Sequence, residues 1–226
     1  LKPTGGTVLF RDLEAYAIVI PQDADVQDRA SAALMKEYLD KIFDCQFPIR
    51  MDSEPSDGNF ISIGNTKQFV ASGLSANPSS QGYAIGIKDD NIYISGGLRG
   101  AVYGVIAFLE EDLGCRYYAV GCVKIPRIDH GEAVAVHPRS YTPFFEVREP
   151  LYAEAMDNEW AAFNKLQPLS FHFDVPYRAG GGLGNPEYFI HTYDKLVSAK
   201  QYFAAHPEYF ALRNGERFPA TQTAGQ

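Results

Sequence analysis

Apolar and polar positions divide the first 138 residues into a clear series of elements. Ala17-Ile18-Val19-Ile20 is a short apolar run closed by Pro21 and reads as a buried strand. Asp23 and Asp25 then supply caps for a helix over about 24–43. Within it Ala30, Leu34, Tyr38 and Ile42 recur every four residues, and Ala33, Met35 and Leu39 widen the stripe. Phe47 to Met51 and Phe60 to Gly64 follow as short strands across a Ser/Pro/Asp/Gly loop, then a short helix over about 66–71. Tyr83 to Ile87 and Ile92 to Ser95 flank Lys88-Asp89-Asp90-Asn91, which predicts a hairpin. Gly96 and Gly97 end it. A helix over 99–113 places Val102, Val105, Ile106, Leu109 and Leu113 on one face, with Gly114 as a left-handed stop. Gly100 and Gly104, one turn apart, give it a small-residue edge that admits a close neighbour. The pattern predicts an α+β domain over 1–138, with one mostly antiparallel sheet and two long helices.

The character changes across His137-Pro138-Arg139-Ser140-Tyr141-Thr142-Pro143, where a domain boundary is expected. Phe144 to Arg148 reads as a strand, Asp157 to Gln167 as a helix, and Leu169 to Phe173 as another strand. The Gly-rich stretch Ala179 to Gly184 is a loop, followed by a helix from Tyr193 or Lys195 to Ala205. Asn214-Gly215 between strand-like residues is a strong hairpin signal. Strand, helix and strand at this spacing are how a (β/α)8 TIM-type barrel begins. Such a barrel takes about 250 residues, so residues 143–226 predict only its first βα units, an incomplete barrel. An open barrel leaves strand edges bare, so self-association is expected.

Composition narrows the chemistry. The net charge of −8 and the absence of any Lys/Arg cluster exclude a nucleic-acid partner. No apolar run reaches the length of a membrane span. Cys45, Cys115 and Cys122 lack metal spacing, and an odd count argues against a disulfide framework. The five histidines are scattered, so no metal is expected. Gly97-Leu98-Arg99-Gly100 and Gly180 to Gly184 lack dinucleotide and P-loop spacing, so no cofactor is expected either. No signal peptide is visible from Leu1 onward, and the start without Met is expected to reflect removal of an upstream segment.

Two stretches resemble known families. Gly97-Leu98-Arg99-Gly100 through Leu113-Gly114-Cys115-Arg116-Tyr117-Tyr118 is similar to the end of the α+β domain that precedes the barrel in family-sixty-seven α-glucuronidases and family-twenty β-hexosaminidases. His191-Thr192-Tyr193, Leu196-Val197, Tyr202-Phe203, His206 to Leu212 and Gly215-Glu216-Arg217 resemble the domain-of-unknown-function family 4838. The resemblance implies a helper domain followed by the start of a glycosidase-type barrel. It implies a periplasmic, cell-surface or secreted protein acting on a glycan, with acidic or acetamido sugars as candidate substrates. Glycoside hydrolysis ordinarily uses two flanking carboxylates. No such pair can be assigned here, so the chain alone is expected to be catalytically silent. The alternative is a non-enzymatic carbohydrate-binding or scaffolding module.

Candidate sugar-binding residues follow. Arg148 ends the first predicted barrel strand, where barrel enzymes place functional groups. It resembles in position a sugar-binding arginine of the hexosaminidases; the alternative is an ion pair with Glu146 or Glu149. His172 alternates against Phe171 and Phe173, and faces either the barrel mouth or the core. His191 follows the Gly-rich loop at a position matched in family 4838. Trp160 is a stacking platform or a core residue with Phe163, and Asn164 is its neighbour.

Overall fold

The computed structural model describes residues 7–55, 58–97, 99–145, 148, 150, 153–166 and 193–219. It separates into two units, Leu1–Gly182 and Leu183–Gln226. The first holds β1 (Val8–Phe10), β2 (Ala17–Ile20), α1 (Val26–Phe43), β3 (Ile49–Met51), β4 (Phe60–Ile63), α2 (Lys67–Ser72), β5 (Tyr83–Lys88) and β6 (Asn91–Gly96). It continues with α3 (Gly100–Ala107), a π-helical turn over Phe108–Asp112, β7 (Arg116–Ala119), β8 (Cys122–Lys124), β9 (Val134–Val136), β10 (Arg139–Tyr141) and α4 (Asn158–Phe163). The second holds α5 (Tyr193–Leu196), α6 (Ala199–Tyr202), β11 (Leu212–Arg213) and β12 (Glu216–Arg217).

The main sheet has six strands in the order β10-β5-β6-β4-β2-β3. It is mixed, which corrects the expectation of a mostly antiparallel sheet. β3, β2, β4 and β6 run parallel, and only β5 and β10 join antiparallel. The reason is the crossovers. α1 carries the chain from β2 back to a parallel β3, and α2 lies within the connection from β4 towards β5 and β6. Parallel strands buried on both faces read as unbroken apolar runs, and β2 and β4 are buried at every position.

Alternation along the strands sorts the two faces. Ile18, Ile20, Ile61, Ile63, Ile92 and Ile94 join Leu34, Met35, Tyr38, Leu39 and Ile42 of α1 and the whole of α3 in one core. Val19, Phe60 and Tyr93 point the other way and form a small cluster with Phe69 of α2. α1 starts where the sequence places its cap: the Asp25 carboxylate accepts from the N–H groups of Gln27 (2.7 Å) and Asp28 (2.9 Å). The β5–β6 hairpin turns through Asp89 and Asp90, both at positive φ, and the β11–β12 hairpin through Asn214 and Gly215. Gly114 sits at φ 78°, the left-handed stop expected after the α3 region.

Gly100 and Gly104 let α3 lie directly on the β5–β6 hairpin. A Cβ at Gly104 would meet Ile94 Cγ2 at 2.6 Å and Tyr83 Cβ at 3.2 Å, and one at Gly100 would overlap the carbonyl of Gly82. The close approach read from the sequence is therefore an approach to strand and backbone.

Residues 139–141 form an edge strand of the sheet, and 153–166 lie in the first unit. Phe163 of α4 stacks 5.5 Å from Tyr38 and 5.2 Å from Tyr117, and Tyr38 donates to Glu159 Oε1 at 2.6 Å. Phe144 and Phe145 are not in a strand, and the rest of the two predicted barrel strands lies largely or wholly outside the described residues. The described residues do not show the beginning of a barrel. Among them, no helix is long and apolar enough to cross a membrane.

Candidate functional site

Of the candidate residues, Arg148, Trp160 and Asn164 fall within the described part of the chain, and His172 and His191 lie outside it. The structure builds around Arg148 from the end of α4. Asp157 caps this helix, accepting from the Trp160 N–H at 2.7 Å. Its C-terminus closes with Lys165 in the left-handed region at φ 52°. Lys165 N–H donates to the Ala162 carbonyl (2.9 Å) and Leu166 N–H to that of Ala161 (2.8 Å), the paired bonds of a Schellman turn. That turn aims two carbonyls back toward α3. The Leu166 carbonyl accepts from the Tyr103 hydroxyl at 2.8 Å, and the Lys165 carbonyl accepts from Arg148 Nε at 2.7 Å.

The guanidinium is thereby fixed on three sides. Nε is held by Lys165, Nη1 donates to the Phe145 carbonyl at 2.5 Å, and Cζ lies 5.8 Å from the centre of the buried Tyr103 ring. A guanidinium carries five N–H donors, so two main-chain bonds leave donors to spare. Nη2 is shielded from solvent and has no partner among the described residues, whereas the bond at Nη1 lies on the exposed side. Neither Glu146 nor Glu149 is among the described residues, so the ion-pair alternative lies outside them.

The other two candidates stand on the same helix. Trp160 is half-buried, on the first turn of α4. Asn164 is exposed at the C-cap, with its amide nitrogen donating to the Trp160 carbonyl at 2.8 Å. Nearby, Lys165 Nζ lies 3.6 Å from Glu110, whose pKa is raised by burial against the opposing pull of Lys165 and Arg116. Burial also pushes Tyr117 up to about 12, with Asp157 adding to the effect. The sequence gives no sign of Tyr103 as the surface beneath Arg148. Its place on α3 was legible, but not the segment that would cover it.

A second charged cluster fastens β10 to the π-helical turn. The Asp112 carboxylate, fully buried, accepts from Arg139 Nη2 (2.7 Å) and Nη1 (3.1 Å), from His137 Nδ1 (2.9 Å) and from the His137 N–H (3.0 Å). Arg139 also pairs with Glu111 at 3.1 Å and donates to the carbonyls of Ala107 and His137. Burial pushes the neighbouring Tyr83 up to about 12, with Glu111 adding to the effect and Arg139 opposing it. The Arg139 Nη donors and both His137 donors named here are answered from within the chain's own framework, so the cluster is a fastening. After β6, a Cβ on Gly97 would meet Ser80 Cα at 2.6 Å, so this glycine admits the neighbouring backbone. A cleft of about 210 Å³ on the α2 side of the sheet, lined by Phe69, Leu74, Gly86, Tyr93 and Ser140 among others, contains none of the candidate residues. Among the described residues no group of three or more His, Cys, Asp or Glu side chains is placed to hold a metal.

Residues 117–224 match the family described as a domain of unknown function, DUF4838, in agreement with the resemblance seen between residues 191 and 217. No curated protein matches the chain. Among solved structures it is similar to the GH20 β-N-acetylhexosaminidase of Streptomyces coelicolor A3(2), at 15% identity and a TM-score of 0.44 over 65% of this chain and 26% of that one. It is similar also to the N-acetyl-β-hexosaminidase of Streptomyces plicatus, at 14% identity and a TM-score of 0.42 over 65% of this chain and 25% of that one. A GH115 4-O-methyl-α-glucuronidase with specificity for decorated arabinogalactans matches at 14% identity and a TM-score of 0.35, over 44% of this chain and 14% of that one. The chain thus spans about a quarter of the length of the hexosaminidases it matches. The likeness is one of backbone course alone.

Proposed function

We propose that the chain is part of a glycoside-hydrolase-like protein acting on a polysaccharide or glycan, and that Arg148 is its sugar-binding residue. The observation that carries this reading is the state of the guanidinium: clamped by the carbonyls of Lys165 and Phe145, backed by Tyr103, and with its shielded Nη2 left without a partner among the described residues. A side chain held in this way has already given up the rotamer freedom that binding would otherwise cost. Its guanidinium suits a uronate carboxylate or a sugar hydroxyl as acceptor. In this reading the share of the work done here is recognition and orientation, and no catalytic carboxylate is assigned to the chain.

A panel of acidic and acetamido oligosaccharides tested by calorimetry against the protein and its R148A and R148K variants checks this. Binding by the parent, weakened at least tenfold in R148A and partly restored in R148K, is the expected result. Equal binding by parent and R148A, or no binding across the panel, overturns it.

A further inference from the structure

We infer that Phe144 and Phe145 form a stacking platform for a pyranose ring beside Arg148, an inference that rests on the sugar-binding reading of that residue. The two side chains are unusually bare: Phe144 is 91% exposed and Phe145 66%. They are not splayed apart. Their rings meet edge to face, with centroids 5.0 Å apart and planes at 88°, so the pair presents an aromatic face and an aromatic edge together. The main chain of the same residues is tied to the candidate site, because the Phe145 carbonyl accepts from Arg148 Nη1. Aromatic pair and guanidinium are thus joined by one hydrogen bond.

The flanking residues argue for a sugar over a protein partner. A protein-docking patch needs a contiguous apolar area, whereas the neighbours here are the exposed Thr142, the half-buried Pro143 and the Arg148 cation. A pyranose with equatorial substituents matches that mixture. Its axial C–H groups form an apolar face whose slight positive charge suits the negative face of a phenyl ring. Its rim carries the hydroxyl, acetamido or carboxylate acceptors that a guanidinium takes. The platform therefore selects a ring with a flat C–H face, and Arg148 selects what that ring carries at its rim.

The test uses the same chain with chitotriose and an aldotetraouronic acid as probes, titrated calorimetrically against the parent, F144A/F145A, F144W and R148A. Both phenylalanines are exposed, so unchanged thermal unfolding of F144A/F145A serves as the folding control. The expected result is that F144A/F145A loses at least tenfold in affinity for whichever probe the parent binds, and that F144W keeps it. Should F144A/F145A bind as the parent does while R148A fails, the platform is refuted and the reading of Arg148 stands. If the parent binds neither probe, both fall. Loss of a dimer in sedimentation velocity on F144A/F145A, without change in sugar affinity, would make the pair a contact between copies and also overturn the platform.

Discussion

Removing the Asp112 carboxylate is the sharpest test of how the sheet edge is held. The Asp112 carboxylate is fully buried and takes four hydrogen bonds, two of them from an arginine side chain that is itself only 3% exposed. In D112A, Arg139 keeps Glu111, but that carboxylate is 40% exposed and reaches only Nε. The guanidinium is left buried and largely uncompensated. Breaking a buried pair from one side costs about 3–5 kcal/mol. For a domain of this size each kcal/mol shifts the melting temperature by roughly 2–4 °C, so D112A should melt on the order of 10 °C lower. The assay is urea unfolding of the parent, D112A, R139A and the double variant, followed by far-ultraviolet circular dichroism. Much of each single loss is the penalty of the stranded partner, so the double variant should lose well under the sum of the two. A loss in D112A below about 1 kcal/mol, or strict additivity, refutes the buried-pair reasoning. The outcome bears on the site as well, because β10 delivers the chain to Phe144 and Arg148.

Three further outcomes are expected. G104A trades a helix-propensity gain of about 1 kcal/mol against overpacking of about 1–3 kcal/mol on Ile94 and Tyr83, so it should be mildly destabilised in urea titration, and G100A more so because its obstacle is the Gly82 backbone. D44G should gain about 0.5 kcal/mol in the same assay, since Asp44 caps α1 at φ 54° and its ion pair to Arg127 is exposed on both sides. Asp28, raised to about 6 by burial and then by Asp25, binds more protons folded than unfolded between about pH 4 and 6. Parent stability should therefore fall as pH rises through that window, and the melting temperature of D28N should exceed the parent's at pH 7.5 by more than it does at pH 3.5.

Local pattern made the elements legible and their pairing illegible. α1 announced itself through Asp25 and the four-residue recurrence from Ala30 to Ile42, and both hairpins through residues that tolerate positive φ at their tips. Nothing within Ala17–Ile20 or Phe60–Ile63 records that these strands lie side by side and parallel, because each run is buried on both faces. The π-helical turn that brings Glu111 and Asp112 to Arg139 left no mark that helical periodicity could detect. At the candidate site the sequence singled out Arg148 by position and Trp160 and Asn164 by type. It missed the means of holding it, since a Lys165 at positive φ is a solution that glycine would have signalled and lysine conceals. Phe144 and Phe145 read as strand residues, and only the fold shows them bare.

Side-chain nitrogen spectra of Arg148, recorded by NMR during titration with the aldotetraouronic acid, address the sugar-binding claim most directly. The clamp predicts an Nε–H signal that is slow to exchange even without ligand, and Nη signals that shift and saturate along the calorimetric binding curve. Saturable sugar binding that leaves the Arg148 signals unmoved would contradict it.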